Sequence, residues 1–127
     1  MPHFILEYTD NLKAEGRIPA LLKRITGVLM SQKSIKPGAI RARAIELNDY
    51  CIADGAEDYA FVHAHLKIGS GRSEEEKQKI REDLFGAMRE HFADLYARRY
   101  LALSLEITEF SEGGTSKLNN IHARFNT

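Results

Sequence analysis

The sequence predicts an α/β fold of the α+β kind: two βαβ halves sharing one four-stranded mixed sheet, with two helices on one face. Three observations predict it. Short β-branched and aromatic runs alternate with longer segments whose apolar residues recur at helical spacing, in the order strand, helix, strand, strand, helix, strand. The two halves, about 2–50 and 58–110, are similar in length and align Phe4 with Phe61 and Ile40 with roughly Leu101, as in a structural duplication. At 127 residues, 43% of them hydrophobic, the chain suits a single domain over 1–127 with its own core, closed by a C-terminal tail at 111–127.

Each element follows from local pattern. "HFILE" is a β-branched and aromatic run that ends at the polar stretch "YTDNLKAEGR", which makes it the first strand. From Ile18 the residues Leu21, Leu22, Ile25 and Leu29 mark an amphipathic helix ending near Lys33, and Pro19 suits its first turn, where a missing N–H costs nothing. The "KPG" turn at 36–38 breaks it. "AIRARAIEL" then alternates small apolar side chains with Arg41 and Arg43 as a second strand, both arginines on one face. After a loop with Asp54 and Gly55, "DYAFVHAHLKI" is a nearly continuous apolar run of the buried-strand kind.

Ser73, followed three residues later by Glu76, forms a capping box that opens a second helix. Its broad apolar face carries Ile80, Leu84, Phe85, Met88, Phe92 and Leu95. "LALSLEITEF" alternates as a fourth strand, with Leu103, Leu105 and Ile107 on one side. The tail "NNIHARF" is apolar enough to dock. Two helices on one face leave the other face of the sheet bare. With Leu103, Leu105, Ile107 and both faces of the third strand apolar, other copies of the chain are expected to cover it.

Lys plus Arg and Asp plus Glu each number 18, so no global field draws the chain to nucleic acid or an anionic membrane. No apolar run approaches the roughly 20 residues that span a bilayer. The single cysteine, Cys51, excludes an intrachain disulfide and a multi-cysteine zinc site and suits a reducing compartment, with the cytoplasm as the expected location.

The candidate chemistry begins at Pro2. Processing aminopeptidases remove a methionine that precedes a small residue, leaving a terminal proline whose nitrogen is a secondary amine. A terminal amine titrates nearer neutrality than lysine, and an apolar pocket lowers its pKa further, so it can serve as a general base near pH 7. Proline at position two by itself merely permits that processing. Arg41 projects from the second strand, and Arg72 lies in "GSGRS" directly before a helix N-terminus, where free N–H groups and the helix dipole favour an anion. Two fixed arginines beside an amine would bind a dicarboxylate, because the planar guanidinium accepts carboxylates in bidentate fashion. The bland alternatives are a solvated strand residue and a plain connection. His63 and His65 share a face of the third strand, but no acidic or cysteine partner at useful spacing makes them a metal site. Cys51 has no nearby basic residue to form a thiolate.

The opening "PHF", the block "ADGAEDYAFVHAHLKIGSGRS", the segment "LALSLEI" and the tail "NNIHARF" together resemble the 5-carboxymethyl-2-hydroxymuconate delta-isomerases of the tautomerase superfamily, over nearly the whole chain. The resemblance implies the tautomerase/MIF-like fold, a homotrimer whose sheets form an inner barrel, and neither metal nor organic cofactor. It places the family's terminal proline on Pro2 and its two essential arginines on Arg41 and Arg72. His3 and Phe4 adjoin the proline, and Phe61 and His63 are expected beside it if the halves pair, as further pocket residues. The implied reaction is ketonisation of a dienol bearing two or three carboxylates in homoprotocatechuate (4-hydroxyphenylacetate) breakdown. Another tautomerase activity on a small enol or unsaturated carboxylate, or a non-catalytic oligomeric binding protein, are the alternatives.

Overall fold

A computed structural model describes residues 1–125. Its strands are β1 (His3–Thr9), β2 (Arg41–Leu47), β3 (Tyr59–Ile68) and β4 (Tyr100–Glu109); its helices are α1 (Ile18–Met30), α2 (Glu74–His91) and α3 (Ala93–Arg98). The sheet order is β2-β1-β3-β4. β1 runs parallel to β2 and β3 parallel to β4, while β1 and β3 pair antiparallel at the centre. Each parallel pair is joined through a helix, as a parallel connection requires, so the two expected βαβ units share one mixed sheet.

The core lies between the sheet and the helices. Phe4, Leu6 and Tyr8 of β1 and Ala60, Val62, Ala64, Leu66 and Ile68 of β3 point into it. They meet Leu21, Ile25 and Leu29 of α1 and Ile80, Leu84 and Met88 of α2. Pro19 falls in the first turn of α1, and the helix ends at Met30, three residues before the expected end, where the Ser31 N–H turns back to the Gly27 carbonyl at 3.2 Å. Gln32 is buried just beyond and donates to Asp83 of α2 at 3.0 Å, tying the two helices. Ser73 caps α2 as expected, its Oγ accepting from the Glu76 N–H at 3.1 Å, while the Glu76 carboxylate reaches back to the Ser73 hydroxyl at 3.4 Å.

Two expectations fail on phase. The apolar face expected to run from Ile80 to Leu95 on one helix is shared by two, because the backbone departs from helical geometry at the fully buried Phe92 (φ −98°, ψ 8°). Backbone bonds carry through the break, Phe92 to Met88 at 3.0 Å and Tyr96 to Phe92 at 2.8 Å, so the chain turns there without stopping. The bare sheet face is also not the apolar one. Leu103, Leu105 and Ile107 pair with Val62, Ala64 and Leu66 and pack with them toward the helices. Because side chains alternate across a strand, the open face holds their neighbours: Phe61, His63, His65 and Lys67 on β3, and Ser104, Glu106 and Thr108 on β4. β3 alternates strictly between buried and half-buried residues, so only one of its faces is core. The same alternation sets Phe4, fully buried, on the opposite side of the sheet from Phe61, so the Phe4–Phe61 alignment is one residue out of phase.

The tail docks, as its apolar residues suggest. After β4 it crosses the end of the sheet, and a short turn at Ile121–Arg124 packs on the turn Pro37–Ala39 that precedes β2. The last two residues of the tail lie outside the described part. Among the described residues no helix is long and apolar enough to cross a membrane.

Candidate active site at the end of β1

The topology brings one set of chain ends together. β1 and β2 are parallel and start at the same edge; β3 is antiparallel to β1, so its end and the turn that follows lie there too. Pro2, Arg41 and Arg72, far apart in sequence, therefore meet. Pro2 is buried and its carbonyl accepts the Arg41 N–H at 3.0 Å. A cleft of about 390 Å³ opens beside it, lined by Met1, Pro2, Ser34, Arg72, Lys117 and His122 among others.

Each arginine is held by main-chain carbonyls. Arg41 Nη1 donates to the carbonyls of Gly38 and Ile40, both at 3.1 Å, which leaves its Nε and Nη2 donors for a ligand. Arg72 donates through Nε to Ser34 Oγ at 2.8 Å, through Nη2 to the Ser34 carbonyl at 2.7 Å and through Nη1 to the Gly69 carbonyl at 3.0 Å. Of the five N–H donors of a guanidinium, two remain. The turn that presents Arg72 contains Gly71 at φ +108°, a backbone region that only glycine enters at low cost. Ser34, the partner of Arg72, carried no signal in the sequence.

The α-amine at this terminus sits in an unusual field. Burial holds the Met1 amine below its ordinary value, and the cations of Lys117, Arg72 and Arg41 lower it further. Both effects disfavour an ammonium at this position.

Of the other expected pocket residues, His3 is near the site. It pairs with Arg41 across the β1–β2 ladder and lines a second cleft of about 400 Å³ with Met1, Gly69, Phe110 and Lys117. Its Nδ1 accepts from Arg43 Nη1 at 3.0 Å, and its ring meets Phe110 edge-on at 5.8 Å. Burial, then the charges of Arg43 and Arg41, hold its pKa below the usual histidine value, which favours the neutral ring that the Arg43 bond needs. Phe4 is not in the pocket: it points to the helix side and is fully buried in the core.

Phe61 and His63 are not brought to Pro2 within the chain either. His63 stands opposite Glu7, and the Phe61 N–H donates to Thr9 Oγ1 at 3.2 Å, which sets His63 roughly 17 Å and Phe61 roughly 23 Å along the strand from Pro2 at about 3.3 Å per residue. The expectation rested on the two halves pairing; they do, but β3 runs against β1, which carries Phe61 and His63 toward the far end of that strand. His63 bonds Ser104 Oγ at 2.7 Å and His65 bonds Thr108 Oγ1 at 2.6 Å. Among the described residues no group of three or more His, Cys, Asp or Glu side chains is placed to hold a metal ion. Cys51 is exposed and apart from the site.

Three residues that the sequence did not single out as functional come from the tail: Lys117, Asn119 and His122. They reach the cleft only through the fold, so spacing could not reveal them.

Over 125 residues the chain is 42% identical to the 5-carboxymethyl-2-hydroxymuconate Delta-isomerase of Escherichia coli, covering 98% of this chain and 99% of that one. Its structure superposes on the crystal structure of a 5-carboxymethyl-2-hydroxymuconate isomerase from Deinococcus radiodurans R1 with a TM-score of 0.95 at 52% identity, over 99% of this chain and 95% of the other. A fused 4-OT wild-type symmetric trimer shares the fold, with a TM-score of 0.64 at 16% identity over 91% and 93% of the two chains. The sequence model of one family matches residues 2–125, and by that match and the 42% identity the chain belongs to the 5-carboxymethyl-2-hydroxymuconate isomerase family.

Proposed function

We propose that the isomerase activity of this chain is ketonisation of the 5-carboxymethyl-2-hydroxymuconate dienol, as a step of homoprotocatechuate breakdown, with Pro2 as the proton-transfer base once Met1 is removed. The observation that carries this reading is a buried Pro2 that lines an open cleft together with the cationic side chain of Arg72, while its carbonyl accepts the Arg41 N–H and the Arg41 charge acts on the same chain terminus. The amine takes the proton of the 2-hydroxyl. The O–H electron pair becomes the carbonyl π bond, the double bonds shift along the chain, and the ammonium returns its proton to a chain carbon.

Arg41 and Arg72 hold carboxylates and stabilise the negative charge that spreads through the dienolate. Donors aimed at charge that develops in the transition state commonly give the largest single contribution to rate. Both guanidiniums are already fixed by main-chain carbonyls, so little reorganisation is needed at the moment of reaction. The same cations depress the amine, and a base that is neutral near pH 7 needs that depression. Assembly as a homotrimer belongs to the same reading, supported by the fused 4-OT neighbour, itself a symmetric trimer, and by the uncovered sheet face.

The test compares two preparations with this dienol: protein shown by mass to have lost Met1 and protein that retains it. The processed form ketonises well above the spontaneous rate. With Met1 attached, the Pro2 nitrogen is an amide, and turnover falls by roughly 10²–10⁴, the range of a lost general base. Equal turnover by the two forms removes Pro2 from the mechanism. No acceleration by the processed form removes the substrate assignment and leaves another tautomerase activity.

A further inference from the structure

We propose that Lys117, carried to the N-terminus by the C-terminal tail, is a third carboxylate-binding cation and fixes the preference for a substrate with three carboxylates over one with two. The proposal rests on the isomerase reading above and deepens it. Its substrate carries the two carboxylates of a muconate and a third on the carboxymethyl arm, whereas Arg41 and Arg72 supply two binding cations.

Lys117 is placed to supply the third. It lines both clefts that meet at Met1: the one beside Pro2 and Arg72, and the one beside His3 and Phe110. Among the described residues it takes no part in the ion pairs that occupy Lys13, Lys77 and Lys79. Its charge, with those of Arg72 and Arg41, lowers the pKa of the Met1 amine, which places it at the same chain terminus as the two arginines. The carboxylate of the second cleft, Glu112, is engaged by the Ser70 hydroxyl at 2.7 Å. A lysine on a four-carbon stem reaches a carboxylate on a flexible arm as a point charge, without the planar match that an arginine demands.

The tail is anchored so that this lysine is presented. Asn119 Nδ2 donates to the Gly38 carbonyl at 2.8 Å, the same oxygen that accepts Arg41 Nη1 at 3.1 Å. Asn119 Oδ1 in turn accepts the Ile121 N–H at 2.8 Å. One main-chain oxygen thus fixes both Arg41 and the segment bearing Lys117. Asn119 is a positioning residue in this scheme.

The experiment measures steady-state kinetics of the processed enzyme, Lys117→Gln and Lys117→Arg with 5-carboxymethyl-2-hydroxymuconate and with 2-hydroxymuconate, which lacks the carboxymethyl arm, each on the alkaline plateau of its own pH–rate profile, where the amine is neutral with or without Lys117. Lys117→Gln raises KM for the tricarboxylate roughly tenfold to a hundredfold, the effect of a lost charge-assisted hydrogen bond, and leaves kcat nearly unchanged. Kinetics with 2-hydroxymuconate stay at the wild-type level, and Lys117→Arg restores most of the lost affinity. An unchanged KM for the tricarboxylate, or an equal rise with both compounds, overturns the proposal. Should the wild-type enzyme turn over neither compound, the isomerase reading falls. Calorimetric binding of propane-1,2,3-tricarboxylate against glutarate then decides on Lys117 alone: loss of the tricarboxylate preference in Lys117→Gln supports it, and a retained preference overturns it.

Discussion

A terminal amine is a base only in its neutral form, so turnover rises with pH through the amine's pKa and then levels. At the Met1 amine, burial and the cations of Lys117, Arg72 and Arg41 all act to lower the pKa, and the same surroundings are expected to set the acidic limb of kcat/KM below the pKa that the terminal proline has in the unfolded chain. Removing one cation raises it again. Arg72→Ala therefore shifts the acidic limb to higher pH, besides lowering kcat/KM by roughly 10²–10³ through lost carboxylate and transition-state contacts. A pH–rate profile of the two proteins checks both effects. A limb that does not move in Arg72→Ala would detach this field from the base. Pro2 and Arg72 could be singled out as candidates in the sequence because terminal amines and helix-leading glycine turns have local signatures. Ser34, which receives two bonds from Arg72, and Lys117 were not, since each acts only after long-range folding.

Elements place these residues, and two of the joints can be tested. Ser73 caps α2 through the Glu76 N–H, and that helix start sits directly behind Arg72. Ser73→Ala is expected to cost about 1 kcal/mol, the usual value of a lost N-cap, read as a lower urea midpoint at an unchanged m-value. At the other end of α2, the His91 Nε2–H donates to the Gly16 carbonyl at 2.7 Å, tying the helix to the loop before α1. Burial, the largest cause, holds the folded pKa of His91 below the usual 6.5. The unfolded chain then takes up its proton first, so the stability carried by neutral His91 is complete above about pH 6.5 and is lost as pH falls toward the folded value. Urea midpoints at pH 7.5 and 5.5 separate more in the wild type than in His91→Gln; an equal separation would refute the assignment. Strand and helix identities were readable because hydrophobic period differs between them. Their phase was not. Leu103, Leu105 and Ile107 alternate correctly, yet which side faces the helices depends on the register with β3, and register is a property of two strands together.

The whole molecule leaves a problem that one copy does not solve. β2 and β4 are both edges of the sheet, and an unpaired edge is a template for another chain. β4 is a full ten residues long and carries Tyr100, 65% exposed, while Ile45 on β2 is 45% exposed. The uncovered face between these edges mixes Ile5, Ile45 and Phe61 with Glu7, Arg43, His63, His65 and Glu106. A face of that composition suits a surface partly lined with water better than a dry core, so contact between copies is expected to concentrate at the two edges. If each edge pairs with the unlike edge of the next copy, the contact is heterologous and closes as a ring, which the proposed trimer satisfies. Sedimentation equilibrium is then expected to give about three times the 14.4 kDa of one chain, and Tyr100→Asp, which sets a charge in the edge, shifts the mass toward the monomer and lowers the melting temperature in a concentration-dependent way. Phe61 and His63 are far from Pro2 of their own chain, and a ring gives them a second route to an active site, that of a neighbour. Loss of kcat/KM in parallel with loss of the trimer, together with a defect in His63→Ala that leaves the mass unchanged, is the expected pair of results. A fully active monomer would show that the site is complete in one chain and would remove both the ring and any role for His63 in it.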